Sequence, residues 1–429
     1  MVLNFAIVII SPGLYINTMI ERSLSSIAFS KEFGRQMRFI AGPRQTGKTT
    51  LAKAFLKSSG CERLYYNWDE RSIRDAYIKD NHFFSSDIFN TEIKGEKRVL
   101  CMDEIHKYRG WKNILKDFFD SYGNENIFIV TGSAKLDLFK KSGDSLAGRY
   151  FQFRLNPLHL RESIGLSKPI EPPNAALDMV HRSLDSYDYH EKAFESLFTF
   201  SGYPEPFLSQ SARFFNKWRH DYVDRIIRED FRDISQIHDI EKIAVMMQLL
   251  PERIGSPLSI NNLTGDLACS FQTVSHYLQL MELGYLVFRI RPYSKKISRG
   301  ITKETKAYFY DWTRPSTDGS RFENFVAMQW KILTDLWTDW GIGDFELRYI
   351  RTRDAKETDF LILRDNKPYL LSEAKLQAGP IEQHHLKHRD LIMPEAPFVQ
   401  IVAQKGVAEK KERNAWQISA SRFFAFGKV

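Results

Sequence analysis

The sequence predicts an α/β protein: a parallel sheet around a phosphate loop, then a helical lid, a winged helix and a second α/β domain. Three observations lead there. Gly42-Pro43-Arg44-Gln45-Thr46-Gly47-Lys48-Thr49 matches G-x-x-x-x-G-K-[ST] between an apolar run, Phe39-Ile40-Ala41, and a helix-forming stretch over residues 50–57. Residues 98–104 read as a buried strand ending in two carboxylates, Asp103 and Glu104. Near the carboxyl end, Asp359 precedes Glu373-Ala374-Lys375 on what reads as a hairpin.

A chain of 429 residues exceeds one ordinary core, so two to three domains are expected. Hydrophobic content of 43% and charged content of 27% are those expected of a soluble globular protein. A net charge of +8 favours an anionic partner, nucleic acid before membrane, although a merely soluble basic surface fits the same number. Cys61, Cys101 and Cys269 show neither metal-ligand spacing nor a disulfide framework, which fits a reducing cytoplasm. Cys101 lies in an apolar strand pattern and is expected to be a buried thiol. The apolar first fifteen residues lack a basic start, and Pro12-Gly13 interrupts them short of a membrane span. Residues 1–18 are read as an extension or disordered tail, with Met19 opening an amphipathic helix over 20–33.

The phosphate-loop chemistry is direct. Backbone N–H groups of such a loop wrap a polyphosphate, and the following helix adds its positive dipole end. Lys48 is placed to reach the β- and γ-phosphates and Thr49 to hold Mg²⁺, with Thr50 next in the contact set. In a parallel sheet the 98–104 strand would lie beside the loop, bringing Asp103 to the metal and Glu104 to the attacking water. Residues 126–133 form a third strand whose end offers Thr131 or Ser133 to the γ-phosphate or the water. Arg149, before a strand over 151–155, is a candidate finger for transition-state charge, from its own subunit or a neighbour, or else a surface ion-pair residue.

Together these pieces resemble prokaryotic AAA+ ATPases of the archaeal-ATPase-like group. The resemblance is carried by GPRQTGKTT, VLCMDEIHK, IVTGSAKLDL and SLAGRYFQFRLNPL. It covers roughly residues 36–162 and implies a P-loop NTPase (AAA+) parallel sheet, within a domain read as 19–165. It also implies ATP and Mg²⁺ contacts at Lys48 and Thr49, Walker B residues Asp103 and Glu104, and a sensor at Ser133. Arg149 matches the group's GR dipeptide. One departure is that no second sensor arginine stands out in the lid region, which puts cooperative ring behaviour in doubt.

A helical lid is expected over residues 175–255, with helices over 185–200 and 212–233. Phe215, Trp218, Tyr222, Ile226 and Ile227 recur at helical spacing as core. The intervening GYPEPF element also recurs in the same ATPase group. Residues 256–315 read as a winged helix-turn-helix: helices over 262–268 and 271–283, then strands over 285–290 and 307–310. The second helix carries Gln272, Thr273, Ser275, His276 and Gln279, residue types that read base edges. Seven basic residues against one acid, Glu304, fill the wing from Arg289 to Lys306. Duplex DNA binding and simple packing against the lid both fit this module.

Over residues 320–429, strands at 357–363 and 369–375 flank a turn at Asp365-Asn366-Lys367-Pro368. Alternation puts Glu373 and Lys375 on one face, and the hairpin would set Asp359 beside Glu373 as a hard-oxygen Mg²⁺ site. Lys375 would orient or activate a water for phosphodiester attack. This resembles the PD-(D/E)xK restriction-endonuclease-like domain that ends many members of the same group. Asp359, Glu373 and Lys375 match its motif, Glu323 matches the upstream helical acid, and Thr358 replaces the proline. An active nuclease and a degenerate fold used for binding or dimerisation both remain open. The expected whole is a cytoplasmic ATPase that acts on DNA through the wing and the C-terminal domain, possible homo-oligomer formation included. A non-cleaving ATP-dependent switch for DNA or a partner protein is the alternative.

Overall fold

The computed structural model describes residues 19–92, 95–132, 146–185, 189–231, 240–294 and 304–426. They divide into two compact units. One is Arg22–Asn156 with Leu283–Tyr285; the other is Pro157–Glu282 and Leu286–Val429 with the chain up to Glu21.

In the first unit, β1 (Met37–Ala41), β2 (Tyr65–Asn67), β3 (Arg98–Asp103), β4 (Asn126–Thr131) and β5 (Tyr150–Arg154) form one sheet in the order β2-β3-β4-β1-β5. Every pairing is parallel. All of β1 and nearly all of β3 are buried, the pattern of strands covered on both faces. Cys101 is one of those buried residues, as its apolar context predicts. The helices are α1 (Ser23–Ala28), α2 (Lys48–Ser58), α3 (Arg71–Lys79), α4 (Ser85–Asn90) and α5 (Trp111–Tyr122). α5 buries Trp111, Ile114, Leu115, Phe118 and Phe119 at helical spacing. β3 is not the sheet neighbour of β1, because β4 lies between them.

The second unit opens with α6 (Leu160–Ser163), α7 (Ala176–Asp185), α8 (Glu191–Phe200), α9 (Pro204–Ser209), α10 (Ala212–Arg225) and α11 (Ile240–Leu249). The helix expected over 185–200 is therefore α8 alone, since α7 ends where it was to begin. α10 buries Phe215, Trp218 and Tyr222 as its stripe predicts, but the chain turns π-helical over Ile226–Asp230. Gly202 packs where a Cβ would lie 2.4 Å from Trp312, so the GYPEPF element needs its glycine for close approach.

Next come β6 (Pro257–Leu258), α12 (Ile260–Leu267), α13 (Phe271–Leu283), β7 (Val287–Pro292) and β8 (Thr305–Phe309). After α14 (Asp318–Asp339) follow β9 (Phe345–Arg351), β10 (Glu357–Arg364), β11 (Lys367–Lys375), α15 (Gln383–Ile392), β12 (Phe398–Val402), β13 (Ala408–Glu412), β14 (Ala415–Ser419) and α16 (Ala420–Phe423). All nine strands join in the order β13-β14-β12-β11-β10-β9-β7-β8-β6. The join between hairpin and C-terminal strands is the parallel β7–β9 pairing, Arg291 with Arg348 and Pro292 with Tyr349. The β10–β11 turn uses Asp365 and Asn366 at φ 51° and 62°, the left-handed pair that a tight hairpin requires. α14 is buried on all sides over most of its length, residues 324–330 and 332–337 including Trp330 and Trp337, and Thr317 caps its start. The architecture is mixed α/β, with a parallel sheet first and a second, mixed sheet at the C-terminus. No helix among the described residues is long and apolar enough to cross a membrane.

Candidate functional site

The phosphate loop links β1 to α2. Gly42 sits at φ 146°, and a Cβ there would meet the Leu155 carbonyl oxygen at 2.3 Å. Gly47 at φ 93° is the left-handed residue from which α2 starts. Gln45 is also left-handed, at φ 61°. Lys48 is buried, with its Nζ 2.9 Å from the Gly42 carbonyl and 2.6 Å from that of Pro43. Thr46 is buried and donates to the Pro43 carbonyl at 2.9 Å. Arg44 and Gln45 are half-buried and Thr50 is exposed. The loop is held from outside by Arg22, which donates to the carbonyls of Thr46 at 2.7 Å and Asn156 at 2.5 Å.

The sheet brings Asp103 to this loop even though β4 separates their strands. Thr49 Oγ1 donates to Asp103 Oδ2 at 2.9 Å. The Tyr65 hydroxyl donates to the same oxygen, and the Thr131 hydroxyl to the other. Burial, then the hydrogen bond to Asp103, push the Tyr65 phenol well above its usual range and keep it a donor. A hydroxyl and a carboxylate turned toward one another are hard-oxygen donors that suit Mg²⁺. Glu104 follows in a left-handed conformation, φ 58°. Its carboxylate pairs with Lys107 at 3.1 Å, and Lys107 also reaches Asp69 at 2.6 Å. Burial raises the pKa of Glu104 against the opposing charge of Lys107. Ser133 lies outside the described residues.

Arg149 corrects an expectation. It directly precedes β5, whose first residue pairs with Met37 at the start of β1, whereas the phosphate loop leaves the far end of β1. A five-residue strand puts roughly 16 Å between those edges, so a finger in its own subunit is ruled out. The guanidinium instead pairs with Asp120 at 2.9 and 3.1 Å.

In the second unit the hairpin forms and its register sets Asp359 opposite Glu373, although their carboxylates have different partners. Asp359 Oδ1 is 3.3 Å from Lys306 Nζ, and Oδ2 accepts from the Ala374 N–H at 3.1 Å. The same ammonium lies 3.3 Å from Glu323 and 3.2 Å from Glu357. Burial, then the Asp359 carboxylate, push Glu323 up to about 7. Burial also disfavours a charged Lys306, yet the three carboxylates outweigh it and keep the ammonium protonated. Glu373 turns to other partners: Lys375 at 2.8 Å, His385 at 3.0 Å and Gln400 at 3.0 Å. Burial opposes its ionisation, but these partners prevail and lower it to about 2. Burial opposes a charge on Lys375, but its hydrogen bond to Glu373 prevails and raises its pKa. A Mg²⁺ ion between Asp359 and Glu373 would compete with Lys306 for the one carboxylate and with Lys375 for the other. Among the described residues Glu373, Glu382 and His385 do bring donor atoms within 4.8 Å of one another.

The wing is less free than its composition implies. Arg289 pairs with Glu282 at 2.6 Å and Lys306 is buried, while residues 295–303 lie outside the described residues. On α13, Gln272, His276 and Gln279 are exposed, and Thr273 and Ser275 are half-buried. Sequence reasoning missed Tyr65, Lys107, Arg22, Glu357, His385 and Gln400 altogether. Of these only Lys107, in the run after Asp103-Glu104, had a local cue.

The loop, the acid-ended β3 and the parallel strand order give the first unit a P-loop fold of the AAA+ kind. Residues 34–164 match the family described as "AAA domain", and residues 191–313 match a "Domain of unknown function (DUF8612)". The chain is 26% identical over 293 residues to the uncharacterized protein MJ1637 of Methanocaldococcus jannaschii, covering 64% of this chain and 60% of that one. It is 22% identical over 349 residues to the uncharacterized protein Rv2008c of Mycobacterium tuberculosis, covering 77% of this chain and 68% of that one. Among solved structures, AMPPCP-bound DnaA from Aquifex aeolicus aligns at a TM-score of 0.29 and 14% identity, over 58% of this chain and 81% of that chain. So loose a likeness supports no further step.

Proposed function

We propose that this chain is a Mg²⁺-dependent ATPase whose nucleotide state controls a winged-helix and nuclease-like α/β module, and that it acts on DNA. The observation that carries the ATPase part is the 2.9 Å hydrogen bond from Thr49 to Asp103 at the mouth of the phosphate loop. Lys48, Thr49 and the loop N–H groups would hold the triphosphate, and Thr49 with Asp103 would hold Mg²⁺. The metal would supply charge neutralisation on the phosphates. Glu104 would polarise the attacking water, once released from Lys107. Replacing Lys48 by Ala should abolish ATP turnover; hydrolysis at the wild-type rate would sink the nucleotide assignment.

Support for DNA comes from the exposed Gln272, His276 and Gln279 on α13 and from the net charge of +8. The second reading is a switch that binds DNA or a partner protein without cutting. It is favoured by a specific observation, the engagement of Asp359 by the buried Lys306 ammonium and of Glu373 by Lys375, His385 and Gln400. Incubation of labelled duplex with Mg²⁺ or Mn²⁺, with and without ATP, separates the readings. Salt-sensitive binding without cleavage supports the switch; cleavage lost in Asp359→Ala supports the nuclease.

A further inference from the structure

We propose that the Lys306 ammonium is the resident cation of the C-terminal acid cluster, and that it excludes a divalent metal ion from the carboxylates of Glu323, Glu357 and Asp359. The inference rests on the non-cleaving reading of this domain and names the group responsible for it.

The geometry is that of a filled cation site. Lys306 is 1% exposed, on β8, and its Nζ lies 3.2–3.3 Å from one oxygen of each acid. An ammonium has three N–H donors and no acceptor, so three carboxylates saturate it. The acids come from different elements, Glu323 from α14 and the other two from the start of β10. The acids are half-buried and further held by their neighbours. The Tyr308 hydroxyl donates to Glu323 Oε1 at 2.8 Å, and a Cβ on Gly255 would lie 2.5 Å from Glu323 Oε2. Asp359 gives its second oxygen to the Ala374 N–H.

A Mg²⁺ ion would need some of these same oxygens at about 2.0–2.1 Å. It would then sit within contact distance of the like charge of Lys306, which is buried on β8. The ammonium also braces the β7–β8 hairpin against α14 and β10. Removing a buried cation leaves its acids uncompensated, and a divalent ion from solution is the species that would restore the balance.

The test is Mn²⁺ titration of the full chain, followed by the EPR signal of free Mn²⁺, without nucleotide and in a Thr49→Ala background that silences the phosphate loop. Lys306→Gln, which keeps length and a donor, should gain one equivalent of Mn²⁺ at least tenfold tighter than any site in the parent. Adding Glu323→Gln should abolish that gain. A folded Lys306→Gln with no gained ion overturns the inference, and so does a parent that already holds an ion lost on Glu323→Gln. Should Lys306→Gln fail to fold by circular dichroism, Lys306→Met takes its place, and the parent titration decides independently. DNA cleavage by the wild type would sink the non-cleaving reading, an outcome separate from the Mn²⁺ count.

Discussion

The Thr49 hydroxyl donates to Asp103 at 2.9 Å across an intervening strand, joining the start of α2 to the end of β3. Parallel topology makes this possible, because β1, β3 and β4 all end at one edge and any ligand of the loop meets residues from each. Thr49→Ala should lower ATP turnover about 10- to 100-fold and raise the Mg²⁺ concentration needed for half-maximal rate, the usual scale for losing a group that orients a metal ligand. Thr49→Ser, which keeps the oxygen, should restore most of it. Equal turnover in the Ala and Ser variants would remove Thr49 from the metal site.

Tyr65 acts on the same carboxylate from the opposite side. Its phenol donates to Asp103 Oδ2, and Lys53 lies 4.2 Å from the centre of its ring. Tyr65→Phe deletes one oxygen and leaves the ring packed. We expect roughly a 10-fold loss of turnover, partly recovered at high Mg²⁺, with unchanged thermal stability. Loss of stability without a Mg²⁺ effect would make Tyr65 structural only.

Gly42→Ala tests the loop's backbone. The added Cβ would lie 2.3 Å from the Leu155 carbonyl oxygen, which itself follows the N–H bonded to Ala41 at 2.8 Å. Neither is a flexible side chain, so the backbone must shift. Destabilisation on the order of 2–4 kcal/mol is expected for strain of this kind, read as a lower midpoint in thermal or urea unfolding. A wild-type midpoint would show that β1 and β5 can part without cost.

How far the sequence reveals these sites depends on the range of the contacts. β1, β3 and β4 are legible because a strand buried on both faces is apolar without a break, and α13 is legible at both ends. The Asp103 pairing with Thr49 is inferable because the motif spacing stands in for geometry. Lys306 is not inferable: in a basic run it looks solvated, and only the sheet join through β7 and β9 carries it to acids at 323, 357 and 359. Tyr65 sits in a three-residue strand that no periodicity marks. The π-helical turn at Ile226 interrupts an apolar stripe that continues unbroken in the sequence. Arg149 is different, since a residue before a parallel strand always lies at the edge away from a loop that follows one.

Glu104 should be the group whose loss separates binding from chemistry. Glu104→Gln should keep ATP affinity and lower turnover about 10²- to 10⁴-fold, the range for a positioned base. Its pKa is raised by burial and opposed by Lys107, so activity should fall on acidification at a pH above the ordinary carboxylate value. Lys107→Ala removes the charge that favours ionised Glu104, and should move that acidic limb higher still. A limb that shifts downward, or not at all, would show that Lys107 does not set the proton affinity of Glu104.

Arg149 can serve hydrolysis only by acting on a second copy of the chain, because its own phosphate loop lies at the other edge of the sheet. The reading carries a requirement for assembly, and mixing inactive variants examines it directly. Arg149→Ala keeps an intact nucleotide site but lacks the arginine, whereas Lys48→Ala keeps the arginine and lacks the site. Each alone should show less than about a tenth of wild-type turnover, a finger being worth 10³ or more where it acts. Their mixture should recover activity, since a Lys48→Ala copy can present Arg149 to the intact site of its neighbour. Turnover per molecule in the wild type should likewise rise with protein concentration. Full activity of Arg149→Ala alone would leave the arginine as no more than the partner of Asp120.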